Sequence, residues 1–327
     1  MFALGEAIRG RIGSSRKTRV AILLAGIVFS QVILYGPSLV GAKILLPLDI
    51  LWQAGMYIPP TPETEGKAPH DSIKSDMVDL VEPERQLVVS ELQNGRWPAW
   101  NPGQFAGKPI LQRPWLSPLS LLPVAIRSPV VLAWQQLLLA IVAGLGFYLF
   151  CRRTLRIAFW AAVIPAWVYP LTGFFVFWVG APNPLPVAWL PWLWLALDRT
   201  VRGPSFRSMG MLALVVLFCF GTRQLDSSGQ VLFVSAAYAI WRFFTRFGRQ
   251  CLRQPALKAA AFVTGGYLLG IALAAPHVLP LVEYVQTGAR TQRRGQGEEA
   301  RPPGSISALP LAVLVLPESL ARPGERL

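Results

Sequence analysis

Residues 20–39 read Val20-Ala21-Ile22-Leu23-Leu24-Ala25-Gly26-Ile27-Val28-Phe29-Ser30-Gln31-Val32-Ile33-Leu34-Tyr35-Gly36-Pro37-Ser38-Leu39. This apolar run is as long as a membrane-spanning helix needs to be. Arg9, Arg11, Arg16, Lys17 and Arg19 precede it. A basic flank before an apolar run also opens a signal peptide. This run is too long for one, and no small-residue cleavage pattern follows Gly36-Pro37-Ser38. The reading is an uncleaved first span with its N-terminus in the cytoplasm. Composition agrees: 53% of the 327 residues are hydrophobic and 15% are charged, where a soluble domain carries about a quarter. Mean hydropathy is +0.43.

Further spans are expected at about 129–150, 157–178, 183–198, 208–222, 229–245 and 257–281. The chain then divides into a cytoplasmic N-terminus (1–19), a first span (20–41), a long loop (42–128), six further spans (129–285) and a tail (286–327). Charge tests this order. The proposed inner loops hold Arg152, Arg153 and Arg156, then Arg199, Arg202 and Arg207, then Arg242, Arg246, Arg249, Arg253 and Lys258. The short outer turns, Gly180-Ala181-Pro182-Asn183 and Thr222 to Gly229, hold only Arg223. That is the positive-inside pattern, and it puts the long loop outside the cytoplasm. It also accounts for the net charge of +14 and the pI near 10.4 without nucleic acid. The tail departs from the pattern, with Arg290, Arg293, Arg294 and Arg301 on the expected outer side. Its apolar run from Ile306 to Leu316 is too short to span, and the chain is read as cut short there.

Within the loop, the apolar pieces around Ile44–Trp52 and Leu116–Ile126 are too short to cross and read as interfacial or re-entrant. Ser75 to about Asn94 has helical spacing, with Val78, Val81, Leu87, Val88 and Leu92 on one face and Asp79, Glu82 and Glu84 near its start. The loop closes on Arg96-Trp97-Pro98-Ala99-Trp100-Asn101-Pro102-Gly103-Gln104-Phe105-Ala106-Gly107-Lys108-Pro109. Cys151, Cys219 and Cys251 lie outside the loop and show no CxxC spacing, so a disulfide framework or zinc site is not expected. With only His70 and His277, a multi-histidine metal site is excluded. No metal ligands are assigned and no cofactor is required by the sequence, though carboxylate-bound Mg²⁺ or Mn²⁺ stays open.

The order of one span, Leu46-Pro47-Leu48-Asp49, Ser75-Asp76 with an amphipathic helix, Asn94-Gly95-Arg96-Trp97-Pro98-Ala99-Trp100-Asn101-Pro102 and Phe105-Ala106-Gly107-Lys108-Pro109 resembles the N-terminal half of bacterial YfhO-type membrane proteins. Ala275-Pro276-His277-Val278-Leu279-Pro280-Leu281-Val282-Glu283-Tyr284 is similar to that family's LLP-x-x-E span end. The likeness covers about residues 18–290, and the Gly-Arg-x-Pro-x-Trp-Asn-Pro block is its most specific part. Such proteins resemble GT-C glycosyltransferases, which take a sugar from a polyprenyl phosphate at the outer face. Two departures stand out. Family members are typically more than twice this long, and Gly221-Thr222-Arg223-Gln224 stands where relatives often carry a Gly-His-Pro-Gln-like turn.

Sugar transfer needs a base for the acceptor hydroxyl and positive charge, or a metal, for the departing phosphate. The resemblance places the acid in the first outer loop, which makes Asp76, Asp49 and Asp79 the catalytic candidates, in that order. A helix N-cap for Asp76 and a first-turn dipole partner for Asp79 are the structural alternatives. Arg113, Arg223 and Arg290 are outer-face cations suited to phosphate oxygens, with Gln224 beside Arg223. Trp97 and Trp100 suit sugar stacking or interfacial anchoring, and Asn101 suits a turn. His277 and Glu283 lie six residues apart near the end of the last span, where a structural role competes with substrate binding.

The sequence thus predicts an all-α polytopic integral membrane protein of about seven transmembrane helices, GT-C-like, in the bacterial inner membrane. By the resemblance it is a membrane glycosyltransferase, with a polyprenyl-phosphate-linked sugar, a cell-envelope glycan, lipid or protein acceptor, and membrane lipids as partners. A transporter or lipid flippase is the first alternative, although most spans carry no charge at mid-depth. An inactive truncated fragment or membrane scaffold is the second.

Overall fold

The computed structural model describes residues 15–52, 59, 61–62, 69, 71–104, 106–110, 116–222 and 224–287. The chain divides into two units, Met1–Val278 and Leu279–Leu327. In the second unit the described residues, 279–287, are helical. The described residues are overwhelmingly helical, and their strands are the two-residue β1 (Trp100–Asn101) and β2 (Lys108–Pro109).

Helix α1 (Arg16–Leu39) starts at Ser15, whose hydroxyl accepts a hydrogen bond from the Lys17 N–H. It bends at Tyr35, two residues before Pro37, where the proline ring cannot tolerate straight helix above it. A 3₁₀ turn (Leu48–Trp52), another (Ser72–Lys74) and a π-helix (Met77–Val81) lead into α2 (Glu82–Gln93). The β1–β2 hairpin and α3 (Pro118–Ala125) complete the described part of the loop. Then follow α4 (Val131–Arg153), α5 (Phe159–Val168), a 3₁₀ turn and α6 (Gly173–Phe177), α7 (Leu190–Arg202), α8 (Phe206–Phe220), α9 (Leu225–Phe247) and α10 (Gln254–Thr287).

Among the described residues, four stretches are long and apolar enough to cross a membrane: Arg16–Leu39, Val131–Arg153, Phe159–Phe177 and Gln254–Tyr284. The apolar α8 is shorter. α7 has only 13 residues, after a 3₁₀ turn over Val187–Trp189. α9 has the length but carries Asp226, Gln230, Arg242 and Arg246 along it. The membrane character read from the sequence is therefore supported by four helices, while the count of seven is not fixed by length and hydropathy.

α4 is the central helix of the first unit, packed by α1, α3, α5 and α7. A helix that is apolar all round belongs in such a place. Close approach is set by glycine meeting tryptophan. A Cβ on Gly26 would lie 2.2 Å from the Trp167 ring, whose Nε1–H donates to the Leu23 carbonyl at 3.0 Å. A Cβ on Gly146 would lie 2.5 Å from the Trp192 ring, whose Nε1–H donates to the Val142 carbonyl at 2.9 Å. In each case the indole fills the gap left by a missing side chain and its N–H takes a carbonyl on the same helix. Small residues at helix contacts are the usual device inside a bilayer, where apolar burial against lipid supplies little drive.

The loop lies across one end of this bundle. At Gly180, with φ +81°, a Cβ would sit 2.7 Å from the Leu45 carbonyl oxygen. At Gly221 it would sit 2.6 Å from the Leu116 carbonyl carbon. Two turns predicted to be outer ones thus receive the two apolar pieces of the loop. Lys74 adds a contact over the Phe177 ring at 5.7 Å.

Candidate functional site

The helical spacing read over Ser75–Asn94 is realised as two kinds of helix, and Pro83 explains the change. Proline has no N–H to give the Asp79 carbonyl four residues back, and its ring crowds that carbonyl. The chain widens into the π-turn Met77–Val81, in which the Glu82 N–H reaches the Met77 carbonyl five residues earlier. Short π-turns of this kind recur at functional sites.

The carbonyls freed by the wider turn are taken by the hairpin block. Gln104 Nε2 donates to the Leu80 carbonyl at 3.0 Å and more weakly to the Asp79 carbonyl at 3.4 Å. Asn101 Nδ2 donates to Gln104 Oε1 at 3.1 Å, and the Gly103 N–H donates to Asn101 Oδ1 at 3.0 Å. Asn101 and Gln104 are both buried. Lys108 Nζ pairs with the buried Glu84 carboxylate at 2.8 Å, one turn further along the same helix. Asn101, Gln104 and Lys108 therefore form a clamp on the helix that carries the carboxylates.

Arg85 fixes the other side. It is 4% exposed and forks onto Glu82, with Nε to Oε2 and Nη2 to Oε1 both at 2.7 Å. Its Nη1 donates to the carbonyls of Pro123 and Ile126, each at 2.7 Å, and its Nη2 to that of Arg127 at 2.8 Å. One guanidinium thereby takes two of the carbonyls that close α3, Pro123 and the cap residue Ile126, which a helix cannot pair by itself, and one just beyond it. A cavity of about 40 Å³ lies between Met77, Val81, Arg85, Ser120 and Pro182. It is far below the several hundred Å³ of a small-molecule pocket.

Asp79 is half-buried, and its Oδ1 is buried with no hydrogen-bond partner among the described residues. Asp76 is exposed and occupies the N-cap position without a side-chain cap bond, so the capping role open to it in the sequence is not used. Asp49 is half-buried in the 3₁₀ turn Leu48–Trp52. Trp97 and Trp100 are exposed, and the Trp100 ring lies over Gly107, where φ is +109° and a Cβ would come within 2.7 Å. Gln224 Nε2 donates to Asn183 Oδ1 at 3.4 Å, joining two turns. His277 is fully buried on α10, and Glu283 is exposed on the same helix. Arg113, Arg223 and Arg290 lie outside the described residues. Asp79, Gln104 and Asn101 are thus brought into one hydrogen-bonded group. Arg85 and Pro83 were not singled out from the sequence, and Glu84 was read only as an acidic residue near the helix start, although a proline inside an acidic helix start is itself a signal.

Arg96, in the most specific block, forks onto Glu91, with Nε to Oε2 at 2.8 Å and Nη2 to Oε1 at 2.7 Å. That hydrogen bonding, with the charge of Arg96, holds the Glu91 carboxyl below its ordinary pKa. Among the described residues no group of three or more His, Cys, Asp and Glu side chains is placed to hold a metal ion. Comparison with known proteins finds no matching family model, no matching curated protein and no matching solved structure.

Proposed function

We propose that this chain is a seven-span membrane glycosyltransferase of GT-C type. It would move a sugar from a polyprenyl phosphate to a cell-envelope hydroxyl at the end of the bundle covered by the first loop. The observation that carries the reading is Asp79: one carboxylate oxygen, buried and unpartnered among the described residues, on a π-turn whose carbonyls are held by Gln104. Asp79 as a whole is only half-buried, and its carboxylate would take the proton of an acceptor hydroxyl through the oxygen that is not enclosed. Asp76, three residues earlier and exposed, is the second candidate for that role. The resemblance of the hairpin block to YfhO-type proteins supplies the donor class, and the basic inner loops supply the orientation.

The test is transfer of radiolabelled sugar from a polyprenyl-phosphate donor by the full chain in liposomes. Asp79→Asn is isosteric and is expected to lower the rate about a hundredfold or more, the usual contribution of a general base, with unchanged thermal unfolding. Asp76→Asn is expected to have the smaller effect. Wild-type turnover retained in both variants sinks the assignment of these residues, and absence of transfer in the wild type with every polyprenyl-phosphate sugar sinks the activity.

A further inference from the structure

The end of the bundle opposite the loop holds a second polar centre. Asp198, 3% exposed near the end of α7, accepts from Arg242 Nε of α9 through Oδ1. Its Oδ2 pairs with Arg202 Nε at 2.9 Å and accepts from Thr154 Oγ1 at 3.3 Å. Arg202 Nη2 goes on to the Thr154 carbonyl at 3.1 Å, and Arg246 Nη2 to the Arg202 carbonyl at 3.2 Å. One carboxylate thus ties the ends of α4, α7 and α9 together, with both of its oxygens engaged.

Beside it opens a cavity of about 510 Å³, within the range of ligand-binding pockets. Arg153, Arg199 and Arg202 stand on its wall, while Trp192, Met211 and Val215 line it with apolar surface. Arg202 is matched by Asp198. Arg153 and Arg199 are exposed and make no ion pair among the described residues, which leaves positive charge facing the cavity. The Trp192 N–H is already given to Val142, so its polar edge needs nothing from the cavity. A pocket with uncompensated arginines beside apolar walls, set between helix ends of a membrane protein, matches one ligand chemistry: a phosphate carried on an acyl chain.

We propose that this cavity binds an anionic glycerophospholipid, its phosphate held by Arg153 and Arg199 and the start of its acyl chain laid along Trp192, Met211 and Val215. A free phosphate ion would use the arginines and leave the apolar walls unused, which separates the two sources. The proposal stands independently of the transferase reading, since no residue of the loop takes part.

The experiment is native mass spectrometry of the full chain released from nanodiscs of mixed phosphatidylglycerol and phosphatidylcholine. The expected result is one retained phosphatidylglycerol in preference to phosphatidylcholine, not displaced by millimolar inorganic phosphate. Arg153→Gln with Arg199→Gln is expected to cut retention roughly tenfold or more, as loss of a charge-assisted contact implies. Both arginines are exposed, so folding is not at stake. Val215→Trp, which fills the apolar side, is expected to abolish retention while leaving the arginines in place. Equal retention of the two lipids, or wild-type retention in both variants, overturns the proposal. Displacement by inorganic phosphate with unchanged retention in Val215→Trp assigns the cavity to free phosphate and overturns it equally.

Discussion

At the scale of single residues, two charged side chains of the loop, Arg85 and Arg96, give sharp expectations. Arg85 is buried with all its donors directed at Glu82 or at the carbonyls ending α3. Arg85→Leu would leave Glu82 Oε2 and the carbonyls of Pro123 and Ile126 without this donor, while Gln86 Nε2 still serves Glu82 Oε1 at 2.6 Å and the Arg127 carbonyl at 2.8 Å. Breaking a buried pair from one side costs about 3–5 kcal/mol, and the variant is expected to unfold at distinctly lower denaturant in a detergent-solubilised chain. An unchanged midpoint would show that the guanidinium is not what holds α3. Arg96 works at the surface. Its hydrogen bonds lower the Glu91 pKa, so the pair's stabilising effect is present above the ordinary carboxylate pKa and is lost as pH falls through the lowered one. Arg96→Gln is expected to move the Glu91 titration upward, read by NMR of the carboxyl carbon, with little change in stability because the pair is exposed.

At the scale of elements, the π-turn and its clamp decide where the carboxylates point. Gln104 donates to the Leu80 carbonyl and, more weakly, to the Asp79 carbonyl that Pro83 has no N–H to serve, and Asn101 holds the Gln104 amide in register. Gln104→Leu is expected to destabilise the loop by about 1–3 kcal/mol, the cost of leaving buried acceptors unpaired. Hydrogen exchange should rise over residues 77–82 while the exchange of α4 stays unchanged. A uniform rise across the chain would place the glutamine in a global role instead. The sequence was legible here up to a point. Helical spacing over 75–94 and the importance of the Trp-Asn-Pro block could be read from residue pattern, because amphipathic period and turn chemistry are local. The pairing of Gln104 with Leu80 and of Lys108 with Glu84 spans more than twenty positions, and no local rule encodes it. The capping role weighed for Asp76 is not taken up: its backbone is already helical, at φ −54° and ψ −26°, where a capping residue is extended, and its side chain makes no cap bond.

At the scale of the whole molecule, apolar runs and their basic flanks were legible because hydropathy and length act over one helix at a time, as in α1 and α4. What was not legible is how the helices lock, since Trp167 reaches Leu23 and Trp192 reaches Val142 from distant parts of the chain. The orientation of the bundle is the property on which the proposed chemistry depends most, and the chain carries its own reporter for it. Cys151 and Cys219 are buried, whereas Cys251 is partly exposed just after α9, at the basic end. If positive charge sets the topology, a membrane-impermeant maleimide should not modify Cys251 in intact cells and should modify it once the membrane is permeabilised. Ser72→Cys, on an exposed position of the loop, should show the reverse dependence and label in intact cells. Labelling of Cys251 from outside would invert the bundle. It would put Asp79 on the side where lipid-linked sugars are charged rather than spent, and the transferase reading would have to give way to one in which the loop meets a cytoplasmic partner.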